Sequence, residues 1–169
     1  MSFILKLKHW QAFLILIFGL FLNNFAIEDN QTLTTILSLI GGLIYFSWPI
    51  FIGYALYQFL PTRIELSYNL FLFNSFIYLI SYSAVTIISD TEGMKFDGLA
   101  ALPGFYVFYA LLQSNMFPAR VLKSIERERK VDIGECFGSF FLIIVLPIGI
   151  WFLQPRLNKV VEEHKNTFE

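Results

Sequence analysis

The chain has 169 residues, of which 56% are hydrophobic and 15% charged, and its formal net charge is −1 at pH 7. Globular domains carry about 25% charged residues, so a soluble fold of this length would lack the polar faces that surface helices need. The balanced charge argues against a polybasic nucleic-acid-binding protein. The one cysteine, Cys136, excludes a disulfide within the chain. We therefore interpret the sequence as that of an integral membrane protein.

Five apolar segments alternate with short charged stretches, which predicts an all-α, polytopic transmembrane helix bundle forming one domain over residues 1–169. An apolar helix of about 20 residues crosses a hydrocarbon core about 30 Å thick. The first segment follows basic residues but lacks a small-residue cleavage site after it, so we interpret it as a retained helix. The segments are residues 10–27, 34–60, 67–89, 99–117 and 136–153, with a charged cytoplasmic linker at 118–135.

Small residues on the second segment predict a face against which another helix packs. Ser38, Gly42 and Gly53 recur at helical spacing on one side, together with Pro49. Small side chains allow a neighbouring backbone to approach closely. We favour such a packing face over a ligand groove.

Polar side chains interrupt the third and fourth segments and form the first candidate site. Asn74, Tyr78 and Ser81 follow one helical stripe, and Gln113 and Asn115 interrupt the fourth segment. Hydrocarbon cannot satisfy their donors and acceptors, so they must face protein or a wet cavity. We favour hydrogen bonds between helices, because no ionisable residue joins the stripe, as ion-coupled transport usually requires. The alternative is a polar path between the third and fourth segments.

A second candidate site follows the fifth segment. Gln154, Arg156 and Asn158 surround Pro155 where we expect the chain to leave the membrane. The proline would end the helix, the arginine would reach lipid phosphate or a helix-end carbonyl, and the asparagine would cap freed backbone groups. This predicts a membrane-exit anchor, followed by a solvated tail.

Basic residues predict the orientation of the chain. With a cytoplasmic N-terminus and five spanning segments, 8 Lys and Arg lie inside and 4 outside. If the fifth segment dips into the membrane and returns, the ratio becomes 11 to 1. The positive-inside rule therefore favours a returning segment, whereas uniform apolarity favours a spanning one. The sequence predicts five spans, with four spans and a re-entrant segment as the alternative.

Reactive groups that would support catalysis are missing from the apolar segments. His9 and His164 stand at opposite ends of the chain, and every Asp and Glu lies in a loop, linker or tail. We expect no enzyme activity, no metal and no cofactor. The favoured function is a non-catalytic accessory or scaffold component of a membrane complex, which would contact the lipid bilayer and a protein partner or a second copy. The alternative is a small transporter or channel.

The C-terminal third carries a motif in which Pro-Ile-Gly-Ile-Trp is followed by Gln-Pro-Arg-x-Asn. It resembles the end of small polytopic inner-membrane proteins of Bacteroidetes-type bacteria. The resemblance implies a bacterial inner-membrane location and no particular activity. The matching positions are Pro147, Ile148, Gly149, Ile150, Trp151, Gln154, Pro155, Arg156 and Asn158.

Overall fold

The structure is a computed structural model that describes residues 3–88, residue 98 and residues 101–166, with side chains as far as residue 164. The regular structure of these residues is helical throughout, which confirms the all-α fold class. The predicted segment boundaries at residues 89 and 99 lie outside the described part of the chain. The helices are α1 (Phe3–Lys6), α2 (His9–Asn23), α3 (Gln31–Tyr57), α4 (Tyr68–Ile88), α5 (Ala101–Arg127), α6 (Ile133–Ile144) and α7 (Leu146–Asn166).

Short polar signals decide where several helices begin and end. The Asn30 side chain accepts a hydrogen bond from the Leu33 amide at 3.0 Å and begins α3. Asp132 and Glu135 form a capping box that begins α6. Glu128 adopts a left-handed φ of 50° directly after α5, which ends that helix.

Helices α2 to α5 run antiparallel to their chain neighbours. The end of α2 meets the start of α3 where Asn23 bonds Ser38. The end of α3 meets the start of α4 where Tyr57 stacks on Tyr68, with ring centroids 4.4 Å apart. We call the end of the bundle that carries residues 57–68 and 126–133 the linker end, and the end that carries residues 23–31 the far end.

The predicted packing face on α3 is confirmed. A Cβ added at Gly41 would overlap the backbone of α2, and one added at Gly42 would overlap the Tyr82 ring. At Gly53 an added Cβ would lie 2.7 Å from the Phe71 ring. The glycines therefore let α2 and α4 approach α3 closely, as small residues do between membrane helices.

The boundary predicted between the fourth segment and the linker lies inside a helix. Helix α5 continues through Pro118 and ends only at Arg127. Val121 and Leu122, which lie in the predicted linker, are 0% and 1% exposed and belong to the core. A proline in a helix removes one backbone hydrogen bond, but buried contacts on both sides hold the following turns in place.

The fifth apolar segment is not one helix, because the chain breaks at Val145 between α6 and α7. Pro147 cannot donate the backbone hydrogen bond that would continue α6, whereas proline suits the first turn of a new helix. A Cβ added at Gly149 would overlap the carbonyl oxygen of Leu142, so the two helices pack closely beside the break. Helices α6 and α7 therefore form a helical hairpin.

The hairpin starts and finishes at the linker end. At its start, Cys136 Sγ lies 3.5 Å from Met116 Sδ on α5. Its tip, at Ile144 and Leu146, borders the same cavity as Leu111, close to the middle of α5. Helix α7 then returns, so that Arg156 contacts Glu126 at the linker end.

Pro155 does not end a helix, and the tail predicted to be solvated is helical as far as Asn166. One face of α7 is buried without interruption across the proline, at Leu146, Ile150, Leu153, Leu157 and Val160. Spacings of three and four residues place these side chains on one stripe of a helix. Burial of this stripe stabilises the turns beyond Pro155 more than the proline disrupts them.

The outer surface of the bundle is strongly apolar. Phe76, Ile80 and Phe105 are 63%, 66% and 70% exposed. Within residues 3–88 and 101–166, two helices, α3 and α4, are long and apolar enough to cross a membrane, whereas the apolar helices α2 and α6 are shorter. Extensive exposed apolar surface of this kind marks a membrane or a protein interface.

Candidate functional site

The polar side chains of α4 and α5 bond to one another across the helix interface. The Tyr106 hydroxyl donates to Asn74 Oδ1 at 2.9 Å. The Ser75 hydroxyl donates to Ser114 Oγ at 3.2 Å. Asn74 therefore takes part in a hydrogen bond between helices, and its partner is Tyr106.

The five residues predicted to line a polar path do not converge on one path. Tyr78 and Asn115 border a cavity between α3, α4, α5 and the hairpin tip. Gln113 borders a separate groove between α4, α5 and α6. Asn74 is fully buried at the α4–α5 interface, and Ser81 borders neither space.

The cavity at the hairpin tip has a volume of about 350 Å³. Its walls are mainly aromatic and aliphatic, and its polar groups come from Tyr45, Tyr78, Ser114 and Asn115. The Asn115 amide already donates to the Leu111 carbonyl at 2.8 Å. A cavity of this size and lining suits a small apolar molecule with few hydrogen-bonding groups better than it suits a hydrated ion.

A polar cluster that the sequence did not reveal joins α2, α3 and α4 near the far end. Asn23 Nδ2 donates to the Ser38 carbonyl at 2.9 Å and to the Tyr82 hydroxyl at 2.6 Å. The Ser38 hydroxyl donates back to the Asn23 carbonyl at 2.8 Å. The Asn23-Asn24 pair in an otherwise apolar run was the available signal, because such side chains need polar partners.

Gln154 and Asn158 hold the N-terminal segment instead of capping the end of a helix. Gln154 Nε2 donates to the Ile4 carbonyl at 2.9 Å, and Gln154 is 0% exposed. The Asn158 side-chain amide lies beside the carbonyl oxygens of Leu5 and Leu7, and its nitrogen is the group that can donate to them. The last carbonyls of a short helix lack partners within the helix, so these two amides satisfy groups that α1 leaves free.

Arg156 pairs with a carboxylate instead of lipid phosphate. Its Nε and Nη2 donate to the two oxygens of Glu126 at 2.6 and 2.8 Å. Lys123 Nζ lies 3.5 Å from the same carboxylate. This bidentate pair fastens the end of α5 to α7, so the predicted membrane-exit anchor acts on the protein itself.

The pKa of Glu126 reflects this environment. Partial burial raises the pKa, but the hydrogen bond and charge of Arg156, together with Lys123, outweigh it and hold the pKa of Glu126 below its usual value. The carboxylate therefore stays ionised across the neutral range and keeps its partners.

Over residues 3–88 and 101–166, no three His, Cys, Asp or Glu side chains gather closely enough to hold a metal ion. Cys136 is buried, and its thiol donates to the Ile133 carbonyl at 3.0 Å. The polar groups at the candidate sites are suited to holding helices together and to lining two apolar spaces.

Comparison with known proteins identifies no relative of this chain. No family model, curated protein or solved structure matches the chain.

Proposed function

We propose that the chain is a multi-pass membrane protein in which α2 to α5 cross the bilayer and α6–α7 forms a re-entrant hairpin that enters from the linker end. Helix α6 has 12 residues, and at 1.5 Å per residue it extends about 18 Å, against a hydrocarbon core of about 30 Å. The pairing of Arg156 with Glu126 supports a chain that returns to the side it left. This is the arrangement that the 11-to-1 distribution of basic residues favours.

Cysteine labelling tests this topology without reference to absolute orientation. Both variants are made in a Cys136→Ser background. Glu28→Cys places one exposed thiol at the far end, and Glu162→Cys places one on the tail. We expect a membrane-impermeant maleimide to label the two variants from opposite sides of sealed vesicles. Labelling of both from the same side would establish five spans and refute the re-entrant hairpin.

We propose that the protein is a non-catalytic accessory or scaffold component of a membrane complex in the bacterial inner membrane, with its linker end in the cytoplasm. The observation that carries this proposal is the use of polar side chains. Asn74, Ser114, Gln154 and Asn158 all bond to other parts of this chain. Polar side chains that bond within the chain hold its helices together in a rigid bundle. The apolar exterior of that bundle can then contact lipid or a partner helix.

Co-purification from native membranes tests the scaffold proposal. We expect the tagged chain, extracted in a mild detergent, to retain a stoichiometric partner or a second copy of itself. The same experiment with Gly149→Leu, which must separate α6 from α7, tells whether the hairpin carries the interface. Recovery of a lone monomer in several mild detergents would refute the proposal.

The cavity at the hairpin tip supports a second candidate function, that of a small transporter or channel. Broken or re-entrant segments that meet near the middle of a membrane often line a substrate site. Flux of small solutes into proteoliposomes should then fall in Asn115→Leu, which borders the cavity, and persist in Gln113→Leu, which does not. Absence of protein-dependent flux for ions and small apolar solutes would remove this candidate.

A further inference from the structure

A groove runs along α5 between α4 and α6, on a different side of α5 from the cavity at the hairpin tip. It encloses about 490 Å³. Its floor includes Met116 and Phe117, and its rim includes Leu70 and Phe137, which are 43% and 46% exposed. Because the rim belongs to the apolar exterior, a molecule would enter this groove from the surrounding hydrocarbon.

One cation lines this apolar groove without a carboxylate partner. Arg120 borders it, and none of the ion pairs found in the described residues includes Arg120. Arg120 Nη2 donates to the Val131 carbonyl at 3.2 Å, whereas its Nε is buried and has no acceptor. A buried donor of a charged group is costly to leave unpaired, so the groove lacks an anionic acceptor at this point.

A second unpaired polar atom borders the same groove, nearer the middle of α5. Gln113 Oε1 is buried and has no donor. Gln113 and Arg120 are seven residues apart, which places them on one face of α5 and separates their Cα atoms by about 10 Å. The groove therefore has a cation at its outer end, an amide further in and apolar walls beyond.

The outer end of the groove lies where the protein concentrates positive charge. Every basic residue whose side chain is described lies towards the linker end: on α1 or between α1 and α2, in the 57–68 turn, near the end of α5, or on α7. Basic pockets between membrane helices on the cytoplasmic side bind anionic lipid headgroups. A free phosphate would leave the apolar walls unused, and a fatty chain alone would leave Arg120 unpaired.

We propose that this groove binds one anionic phospholipid, with its phosphate on Arg120 and an acyl chain along Leu70, Phe117 and Phe137. The Gln113 amide lies where it can hydrogen-bond the glycerol-ester region. The proposal rests on the membrane location proposed above and goes beyond it, because it assigns a lipid class to one place on the surface.

Competition between lipids tests the site on the full chain. The purified protein is titrated with phosphatidylglycerol or phosphatidylcholine in neutral detergent, and bound lipid is counted by native mass spectrometry. One favourable basic contact near a membrane surface predicts about fivefold tighter binding of one phosphatidylglycerol than of phosphatidylcholine. Inorganic phosphate is titrated in parallel as a probe of the anion alone.

Three variants separate the site from general charge and from misfolding. Arg120→Gln should abolish the preference, and Lys130→Gln, which removes a charge at the same end but outside the groove, should keep it. Leu70→Trp narrows the groove without touching Arg120 and should also abolish the preference, with the unfolding midpoint in lipid-free detergent unchanged.

Each alternative result has a distinct meaning. Equal binding of the two lipids by the wild type, or a preference that survives both Arg120→Gln and Leu70→Trp, overturns the proposal. A phosphate effect equal to that of phosphatidylglycerol assigns the arginine to a free anion and also overturns it. Recovery of the chain outside the membrane fraction would refute the membrane location itself, whereas a membrane-bound chain without lipid preference would refute only this site.

Discussion

The pairing of Arg156 with Glu126 should stabilise the fold measurably, because it fastens the returning helix α7 to the end of α5. A double-mutant cycle with Glu126→Gln, Arg156→Gln and the combined variant isolates the pairwise contribution. Both side chains are less than one-third exposed, at 29% for Arg156 and 28% for Glu126, and two charge-assisted bonds of 2.6 and 2.8 Å join them. Hydrogen bonds to charged groups contribute about 1.5–3 kcal/mol, so we expect a coupling free energy of about 2 kcal/mol.

The chain contains a matched control for this cycle. Arg129 and Glu135 form the same kind of bidentate pair, at 3.1 and 2.6 Å, but their side chains are 53% and 33% exposed. They are also only six residues apart, so their pairing closes a local turn. Solvent screens exposed ion pairs, so we expect the coupling free energy of the control pair to be clearly smaller than that of Glu126 and Arg156.

Reversible unfolding in mixed micelles, followed by tryptophan fluorescence, measures both cycles. Equal coupling free energies for the two pairs would show that neither partial burial nor the connection between distant residues strengthens the pairing of Arg156 with Glu126. A coupling near zero for Glu126 and Arg156 would refute the inference that α7 is fastened to α5 at this point. Lys123 also contacts Glu126, so a third cycle with Lys123→Gln separates its share.

Acid provides an independent check on the same pair. The pKa of Glu126 is lower in the folded protein than its ordinary value of 4.5. The pair therefore contributes its stabilisation at pH values above the unfolded pKa and loses it as the pH falls through the lower folded pKa. We expect the stability difference between the wild type and Glu126→Gln to be constant from pH 6 to 7, roughly, and to shrink below about pH 4.5. A difference that stays constant to pH 3 would contradict this assignment.

Three further substitutions test the hairpin, the α4–α5 interface and the contact between Gln154 and the N-terminal segment. Gly149→Ala should destabilise the protein by about 1–3 kcal/mol, because the added Cβ would overlap Leu142. At Gly138 an added Cβ meets nothing within 4 Å, so the control Gly138→Ala should be neutral or stabilising. Equal effects of the two substitutions would refute the close approach of α6 and α7. Tyr106→Phe should cost about 0.6 kcal/mol by removing the bond to Asn74, and Tyr109→Phe serves as its control. Gln154→Leu should destabilise the protein by about 1–2 kcal/mol, because it leaves the Ile4 carbonyl unpaired. It should also speed proteolysis at Lys6 and Lys8. An unchanged cleavage rate would contradict the inference that Gln154 holds the N-terminal segment.

The helical class and the approximate positions of α2, α3 and α4 were predictable because apolar runs and their polar boundaries carry that information directly. Hydrophobicity and spacing predicted the packing face of α3, since glycines at helical spacing favour close approach whatever the partner. The same pattern cannot identify the partner. The pattern therefore does not reveal that Asn23 bonds Ser38 and Tyr82 on two other helices.

The anchor residues show why local rules failed near the C-terminus. Pro155 followed by Arg156 has the local signature of a helix that stops at a membrane surface. The buried stripe through Leu153, Leu157 and Val160 continues across it, and this spacing was visible in the sequence. The sequence could not show that Glu126, thirty residues earlier, lies where it can bind the arginine. Long-range pairs of this kind depend on the packed fold and not on neighbouring residues.

The conflict between hydrophobicity and charge in the fifth segment follows from what each quantity measures. Uniform apolarity says that residues 136–153 avoid water, and a hairpin buried against α5 and α2 satisfies that requirement as well as a spanning helix does. Basic residues report the side on which the flanking chain remains, which hydrophobicity does not address. Pro147 and Gly149 are the residues in the sequence that reconcile apolarity with charge. Pro147 suits the first turn of a new helix, α7, and Gly149 lets α7 pack closely against α6. An apolar segment with a late Pro-x-Gly and an excess of basic residues on both flanks therefore favours a re-entrant hairpin over a span.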